Sequence, residues 1–138
     1  MGKMIRDVMT SNPCTIDAGK DIVYAAKMLK DEDVGVAPIV EGDQLIGVLT
    51  DRDIAIKVVA EGKDPQTTKV RDIASKDIVT IDPQQNLDEA LRLMAQHQVR
   101  RLPVVEEDGK VVGIVAQADI ALESDDSKTG ELVEQISK

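Results

Sequence analysis

The stretch TIDAGKDIVYAAKML, Thr15 to Leu29, returns as TIDPQQNLDEALRLM, Thr80 to Met94, and this recurrence decides how the rest of the chain is read. In both, a Thr-Ile-Asp triplet precedes apolar positions spaced i, i+3, i+4 and i+7: Ile22, Ala25, Ala26 and Leu29, then Leu87, Ala90, Leu91 and Met94. That spacing sets four apolar side chains on one stripe of an α-helix. The same shift of 65 lays Arg6-Asp7 on Arg71-Asp72, and Val34 and Pro38 on Val99 and Pro103. Self-similarity over this length marks a duplication, which governs every later assignment.

After each helix comes a short β-branched run, Val36-Ala37-Pro38-Ile39-Val40 and Leu102-Pro103-Val104-Val105. A turn follows, Glu41-Gly42-Asp43 or the longer Glu106-Glu107-Asp108-Gly109, and then a second apolar run, Leu45 to Leu49 or Val111 to Val115. These pairs predict hairpins. A closing helix begins near Thr50 in the first copy, with Ile54, Val58 and Val59 on its buried side, and near Ala116 in the second. Each copy therefore reads as strand, helix, strand, strand, helix, an α+β arrangement. Three strands with helices over one face scarcely bury a core, so the copies are expected to pack on one another. The boundaries are residues 1–61 and 70–123, a linker at 62–69 containing Gly62-Lys63-Asp64-Pro65, and a polar tail at 124–138. A short helix through Leu132, Val133 and Ile136 is marginal in that tail unless docked.

The 138 residues carry 26 acidic and 17 basic side chains, a net charge of −9, which argues against a sequence-blind nucleic-acid binder or an anionic-membrane binder. Cys14 stands alone, so no intramolecular disulfide forms and a reducing compartment, the cytoplasm, is expected. Neither a signal-peptide core nor a membrane-spanning run is present, and Arg6 stands where myristoylation needs Ser or Thr. Tyr24 is the single aromatic residue, so a ligand's ring would be held by aliphatic walls rather than stacked.

Gly47-Val48-Leu49-Thr50-Asp51-Arg52-Asp53 sets a hydroxyl and a carboxylate three residues apart at a strand-to-helix junction, where unpaired backbone N–H groups favour anions. A capping box of Thr50 with Asp53 accounts for this pattern structurally, and an Asp53–Lys57 pair at i, i+4 is a second structural account. A phosphatase nucleophile loop of the haloacid-dehalogenase type would need further acidic and lysine positions and a larger parallel sheet. The second copy instead reads Gln117-Ala118-Asp119. Gln96-His97-Gln98-Val99-Arg100-Arg101-Leu102-Pro103 places two arginines where the first copy has Gly35-Val36. Arginine forks match phosphate oxygens two at a time, although they could equally offset Glu106 and Glu107. His97 reads as a surface or helix-end residue. One His, one Cys and no phosphate loop with a following Lys support neither nucleophilic catalysis nor a closed zinc site.

From about Ile5 to Leu122 the chain resembles tandem cystathionine-β-synthase (CBS) domains, the regulatory pair called a Bateman module, in its free-standing bacterial form. The resemblance rests on Thr15-Ile16 and Thr80-Ile81, Val34 to Pro38 and Val99 to Pro103, and the twice-occurring Gly-x-x-(Thr)-x-x-Asp segment. It implies two β-α-β-β-α repeats packed sheet to sheet with pseudo-two-fold symmetry, and two clefts for adenosine compounds such as AMP, ADP, ATP or S-adenosylmethionine. In the main cleft it implies Asp53 on the ribose hydroxyls, Thr50 toward phosphate with Arg52 nearby, and Val48 on the wall. Asp77 and Ile78 would sit beside the base, with Val99, Arg100, Arg101 and Pro103 opposite and the arginines on phosphate. The other cleft would use Asp119, Ile114 and Ala116 with Asn12, Pro13, Val34, Gly35, Val36 and Pro38. It lacks the threonine and the arginine pair. Losing charged hydrogen bonds worth about 1.5–3 kcal/mol each predicts at least about tenfold weaker binding of a phosphorylated ligand there. The resemblance further implies a homodimer, no required cofactor or metal, no catalysis, and an effector protein that reads the ligand-bound state in trans. The alternative is an oligomerising scaffold whose clefts are vestigial.

Overall fold

Each hairpin forms where the β-branched runs place it, and each is closed by a glycine with a backbone that L side chains rarely adopt. In the computed structural model, which describes residues 2–123, β3 (Val36–Glu41) and β4 (Gln44–Thr50) pair antiparallel through a turn at Gly42, φ 64°. β5 (Arg101–Val105) and β6 (Val111–Ala116) pair likewise through a turn holding Gly109, φ 91°. Both hairpins carry an irregularity at the equivalent step, Ile39/Val40 and Val104/Val105. The expected tail helix lies outside the described residues.

The long helices follow the apolar stripes. α2 (Ile22–Glu32) is capped by Asp21, whose carboxylate accepts the Tyr24 N–H at 2.8 Å, and α5 (Leu87–His97) by Asn86, which accepts the Glu89 N–H at 2.8 Å. Both end in a left-handed residue, Asp33 and Gln98. Ile22, Ala25 and Leu29 are buried from α2, and Ala90, Leu91 and Met94 from α5. Ala26 was expected on the stripe but is exposed: over so small a sheet a helix buries a narrow strip, and Met28 packs on the core instead.

The closing helix of the first copy differs from expectation. α3 (Asp51–Ile54) runs into a π turn at Ala55–Val59. Val58 is buried and Ile54 packs against the core, whereas Val59 is 70% exposed. Successive side chains lie about a quarter turn apart on a helix, so the residue after the inward Val58 is carried round to solvent. α6 (Gln117–Glu123) is α-helical throughout its described length.

Two compact units result, and their boundaries are offset from the sequence repeat. One comprises Cys14–Ile78; the other, among the described residues, joins 2–13 with 79–123. In the first unit β2 (Ile16–Asp17) lies parallel to β3, and Ser75 bridges Val48 on the far side of β4. The second unit repeats the plan: Ile81 bridges Val104 in parallel, and β1 (Thr10–Ser11) pairs with β6, Thr10 opposite Ile114. Each short helix ahead of a copy thus completes the core of the other unit. α4 (Val70–Ile73) buries Val70 and Ile73 among Ile16, Ile22, Ile39 and Leu49, and α1 (Ile5–Val8) buries Ile5 among Leu91, Met94, Leu102 and Ile120. This extra apolar segment is how so small a sheet obtains a covered core.

The glycine of each Gly-x-x-(Thr)-x-x-Asp segment has a steric reason. A Cβ on Gly47 would meet the Ser75 carbonyl oxygen at 2.7 Å, and one on Gly113 would meet the Met9 side chain and, at 2.9 Å, the Thr10 carbonyl oxygen. The crossing segment can hydrogen-bond to the strand there only where no side chain intervenes.

Candidate functional site

Thr50 ends β4 with extended backbone, φ −112° and ψ 161°, so its side chain sits beside the free N–H groups of α3. Its Oγ1 accepts the Asp53 N–H at 3.0 Å, and Asp53 Oδ2 accepts the Thr50 N–H at 2.9 Å. The structural reading of this motif, the reciprocal capping box, is realised. So is the second: Lys57 Nζ lies 3.3 Å from Asp53 Oδ1. These bonds do not exhaust the carboxylate, whose two oxygens offer about four lone-pair sites. In the second copy Asp119 Oδ2 accepts the Ala116 N–H at 2.9 Å, and Ala116 supplies no hydroxyl.

The loop before each hairpin is tied to the same helix start. Asp51 N–H donates to the Gly35 carbonyl at 3.0 Å, and Gln117 N–H to the Arg100 carbonyl at 2.8 Å. Gly35 and Arg100 thus occupy matching places, one without a side chain and one with an exposed guanidinium. A Cβ on Gly35 would lie 3.3 Å from Asp51 Oδ2, so the first-copy loop lies beside a carboxylate of α3, whereas the second-copy loop carries a cationic side chain.

Strand alternation sorts the remaining residues. Ala37, Ile39 and Leu49 point into the helix-covered core, which leaves Val36, Pro38, Val48 and Thr50 on the other sheet face; Val36 pairs with Thr50 and Pro38 with Val48. In the other unit Leu102, Val104 and Val115 point into the core, and Arg101, Pro103, Ile114 and Ala116 share the opposite face. Asp77 and Ile78 follow the Ser75–Val48 bridge, and Asn12 and Pro13 follow β1, with Asn12 at φ 52°. The structure therefore gathers the expected residues into two sets. Val48, Thr50, Arg52, Asp53, Asp77 and Ile78 belong with Val34, Gly35, Val36 and Pro38 in one unit. Val99, Arg100, Arg101 and Pro103 belong with Asn12, Pro13, Ile114, Ala116 and Asp119 in the other.

Elsewhere, Cys14 Sγ donates to Glu32 Oε1, and this hydrogen bond, with smaller contributions from desolvation and the carboxylate's charge, holds the exposed thiol above its ordinary pKa. His97 is exposed as the last residue of α5. Among the described residues no three His, Cys, Asp or Glu side chains are grouped to hold a metal ion, and no helix is long and apolar enough to cross a membrane. Among the contacts that escaped the sequence reading is a second one of Lys57, whose Nζ also donates to the Ile73 carbonyl at 3.1 Å. An i, i+4 spacing predicts the Asp53 pair, but no local pattern brings residue 73 to residue 57.

The CBS domain model matches the chain twice, over residues 5–60 and 70–126. Hypoxic response protein 1 of Mycobacterium tuberculosis is 40% identical over 117 residues, which cover 84% of this chain and 81% of that protein. The crystal structure of Hypoxic Response Protein I with two coordinated zinc ions aligns with a TM-score of 0.80 and 38% identity, covering 88% of this chain and 99% of that one. CBSX2 in complex with AMP aligns with a TM-score of 0.76 at 26% identity, covering 88% and 96%. The CBS domain pair of MJ0100, in complex with 5′-methylthioadenosine and S-adenosyl-L-methionine, aligns with a TM-score of 0.76 at 28% identity, covering 89% and 96%.

Proposed function

This chain belongs to the CBS-domain family and carries the domain twice, and from that premise we propose that it is a regulatory module whose signal is an adenosine nucleotide of the AMP, ADP or ATP type. The observation that carries the reading is the Thr50–Asp53 arrangement. A carboxylate already oriented by a backbone N–H and a lysine retains acceptor capacity for two vicinal hydroxyls, the feature that distinguishes a ribose. Arg100 and Arg101, exposed at the start of β5, supply the charge for phosphate, with Arg52 as a further cation. Val48, Ile78, Val99 and Pro103 supply apolar surface for the base, and Asp77 a polar edge. AMP in CBSX2, and methylthioadenosine with S-adenosylmethionine in MJ0100, support the adenosyl class.

The site built on Asp119, Ile114 and Ala116 with Asn12, Pro13, Val34, Gly35, Val36 and Pro38 takes phosphorylated ligands at least about tenfold more weakly, having lost charged donors. The module works as a homodimer in the cytoplasm, without metal, cofactor or catalysis of its own, and an effector protein reads its ligand-bound state in trans. Its copies span residues 1–61 and 70–123.

Thermal unfolding with AMP, ADP, ATP, S-adenosylmethionine, NAD and cyclic dinucleotides, on the wild type and on Asp53→Ala at one protein concentration, tests the proposal. A ligand at 100 times its Kd adds about 2.7 kcal/mol, several degrees for a domain of this size. A shift produced by an adenosine nucleotide and lost in Asp53→Ala is expected. Unchanged melting with every compound would instead favour a scaffold acting through protein contacts alone.

A further inference from the structure

Lys57 does something in the first copy for which the described residues show no counterpart at the matching position of the second, Glu123. Its ammonium stands 3.3 Å from Asp53 Oδ1 and 3.1 Å from the Ile73 carbonyl oxygen. Ile73 closes α4, and its carbonyl is among those a short helix leaves without an intrahelical donor. A flexible four-carbon stem is costly to hold in one geometry, and two acceptors on different segments fix where this one ends. The Asp53 carboxylate is held in turn from both sides, by Thr50 N–H on Oδ2 and by Lys57 on Oδ1. Its side chain is only 15% exposed, whereas that of Lys57 is 45% exposed.

The duplication supplies an internal control. The position matching Lys57 is Glu123, on an α-helix without a π turn over its described length, and Glu123 pairs with Lys3 instead. Asp119 nevertheless keeps its bond from Ala116 N–H at the same 2.9 Å. Capping this junction therefore requires no lysine. Lys57 also lies inside the π turn Ala55–Val59, closed by Ala60 N–H on the Ala55 carbonyl at 2.9 Å. Such turns are rare and concentrate at functional positions.

We propose that Lys57 is a positioning residue: anchored on Ile73, it fixes the plane of the Asp53 carboxylate and so sets how strictly the site demands a ribose diol. This rests on the reading of Asp53 as the ribose acceptor. Lys57 touches no ligand itself. With its charge removed, the carboxylate turns about its own bond and no longer presents both acceptors to vicinal hydroxyls, while a ligand without those hydroxyls is held as before.

The experiment is calorimetric titration of wild type, Lys57→Met and Lys57→Arg with AMP and with 2′,3′-dideoxyadenosine monophosphate, each variant's melting being recorded. The wild type should prefer AMP; in Lys57→Met that preference should fall about tenfold through weaker AMP binding, with dideoxy binding within about twofold, and Lys57→Arg should recover it. Lys57→Gln, which keeps a donor for Ile73 but no charge, takes the place of Lys57→Met if the latter does not fold, with the same expectation. An unchanged preference, or equal weakening of both ligands, overturns the positioning role and leaves the site reading intact. A wild type that binds both ligands equally overturns the ribose role of Asp53 and this proposal with it. A wild type that binds neither overturns the site reading, and with it this proposal.

Discussion

Asp53 and Asp119 occupy the same place in their copies and each accepts a backbone N–H at 2.9 Å, from Thr50 and from Ala116, yet their surroundings diverge in charge. Asp53 has a threonine hydroxyl three residues before it and a lysine one turn after it. Asp119 has an alanine and a glutamate at the corresponding positions. The loops before the hairpins diverge in the opposite sense, with Gly35 against Asp51 in one copy and Arg100 beside Gln117 in the other, on matching backbone bonds. The comparison teaches that at this junction duplication preserved the backbone hydrogen bonds while freeing the side chains that project from it. Function is therefore to be sought where the copies disagree, and stability where they agree.

The strongest way to break this comparison is to remove the disagreement. Replacing Arg100 and Arg101 together by Ala should weaken AMP binding by at least about a hundredfold, since two charged hydrogen bonds worth about 1.5–3 kcal/mol each are lost. Adenosine binding should change by no more than about threefold, as calorimetry with both ligands will show; an equal loss for both would deny the arginines a phosphate role.

The agreement is tested by Gly47→Ala and Gly113→Ala, which push a methyl group against the Ser75 and Thr10 carbonyls, and at Gly113 also against the Met9 side chain, whose flexible end can move aside. Each should cost about 1–3 kcal/mol by overpacking, and the two costs should be similar. Urea denaturation of both variants measures this, and a large inequality would show that the matching geometries do not carry matching energies.

A smaller effect is expected at the caps. Thr50→Ala should destabilise by about 1 kcal/mol, the usual worth of a threonine cap, whereas Ala116→Thr should stabilise by up to a similar amount by restoring the missing hydroxyl. Melting temperatures of the two variants should move in opposite directions.

The smallest concerns Cys14, whose counterpart is Val79. The bond to Glu32 raises the thiol pKa, so the nucleophilic thiolate is scarcer near neutral pH than for an ordinary cysteine. Glu32→Gln lowers that pKa and should speed alkylation by iodoacetamide a few-fold; an unchanged rate would remove Glu32 as the cause.

Both hairpins, both long helices and the capping motif were legible because each is written within a few neighbouring residues: period 3.6 for Ile22, Ala25 and Leu29, a β-branched run bounded by a turn for Leu102 to Val105, and a three-residue spacing for Thr50 and Asp53; the duplication showed as the recurrence of these patterns at a shift of 65. Ala26 and Val59 were misplaced for a related reason. Periodicity marks which residues could face a core, and the extent of the sheet beneath decides which do. For the site, the i, i+4 spacing already paired Asp53 with Lys57 as a structural contact. That the lysine is also tied to Ile73 lay beyond any local pattern.

By itself the sequence determined the family, the two copies and the chemistry of their candidate residues, because motif spacing and residue type survive without coordinates. Only the tertiary structure decided that α1 completes the unit of the second copy and α4 that of the first, that Gly47 and Gly113 are glycines because another segment's carbonyl passes there, and that Lys57 bridges Asp53 to Ile73. Contacts between residues far apart in the chain depend on how apolar faces find cover, and a chain with two copies of one pattern offers more than one way to cover each. Local spacing is the same in all of them; packing selects one.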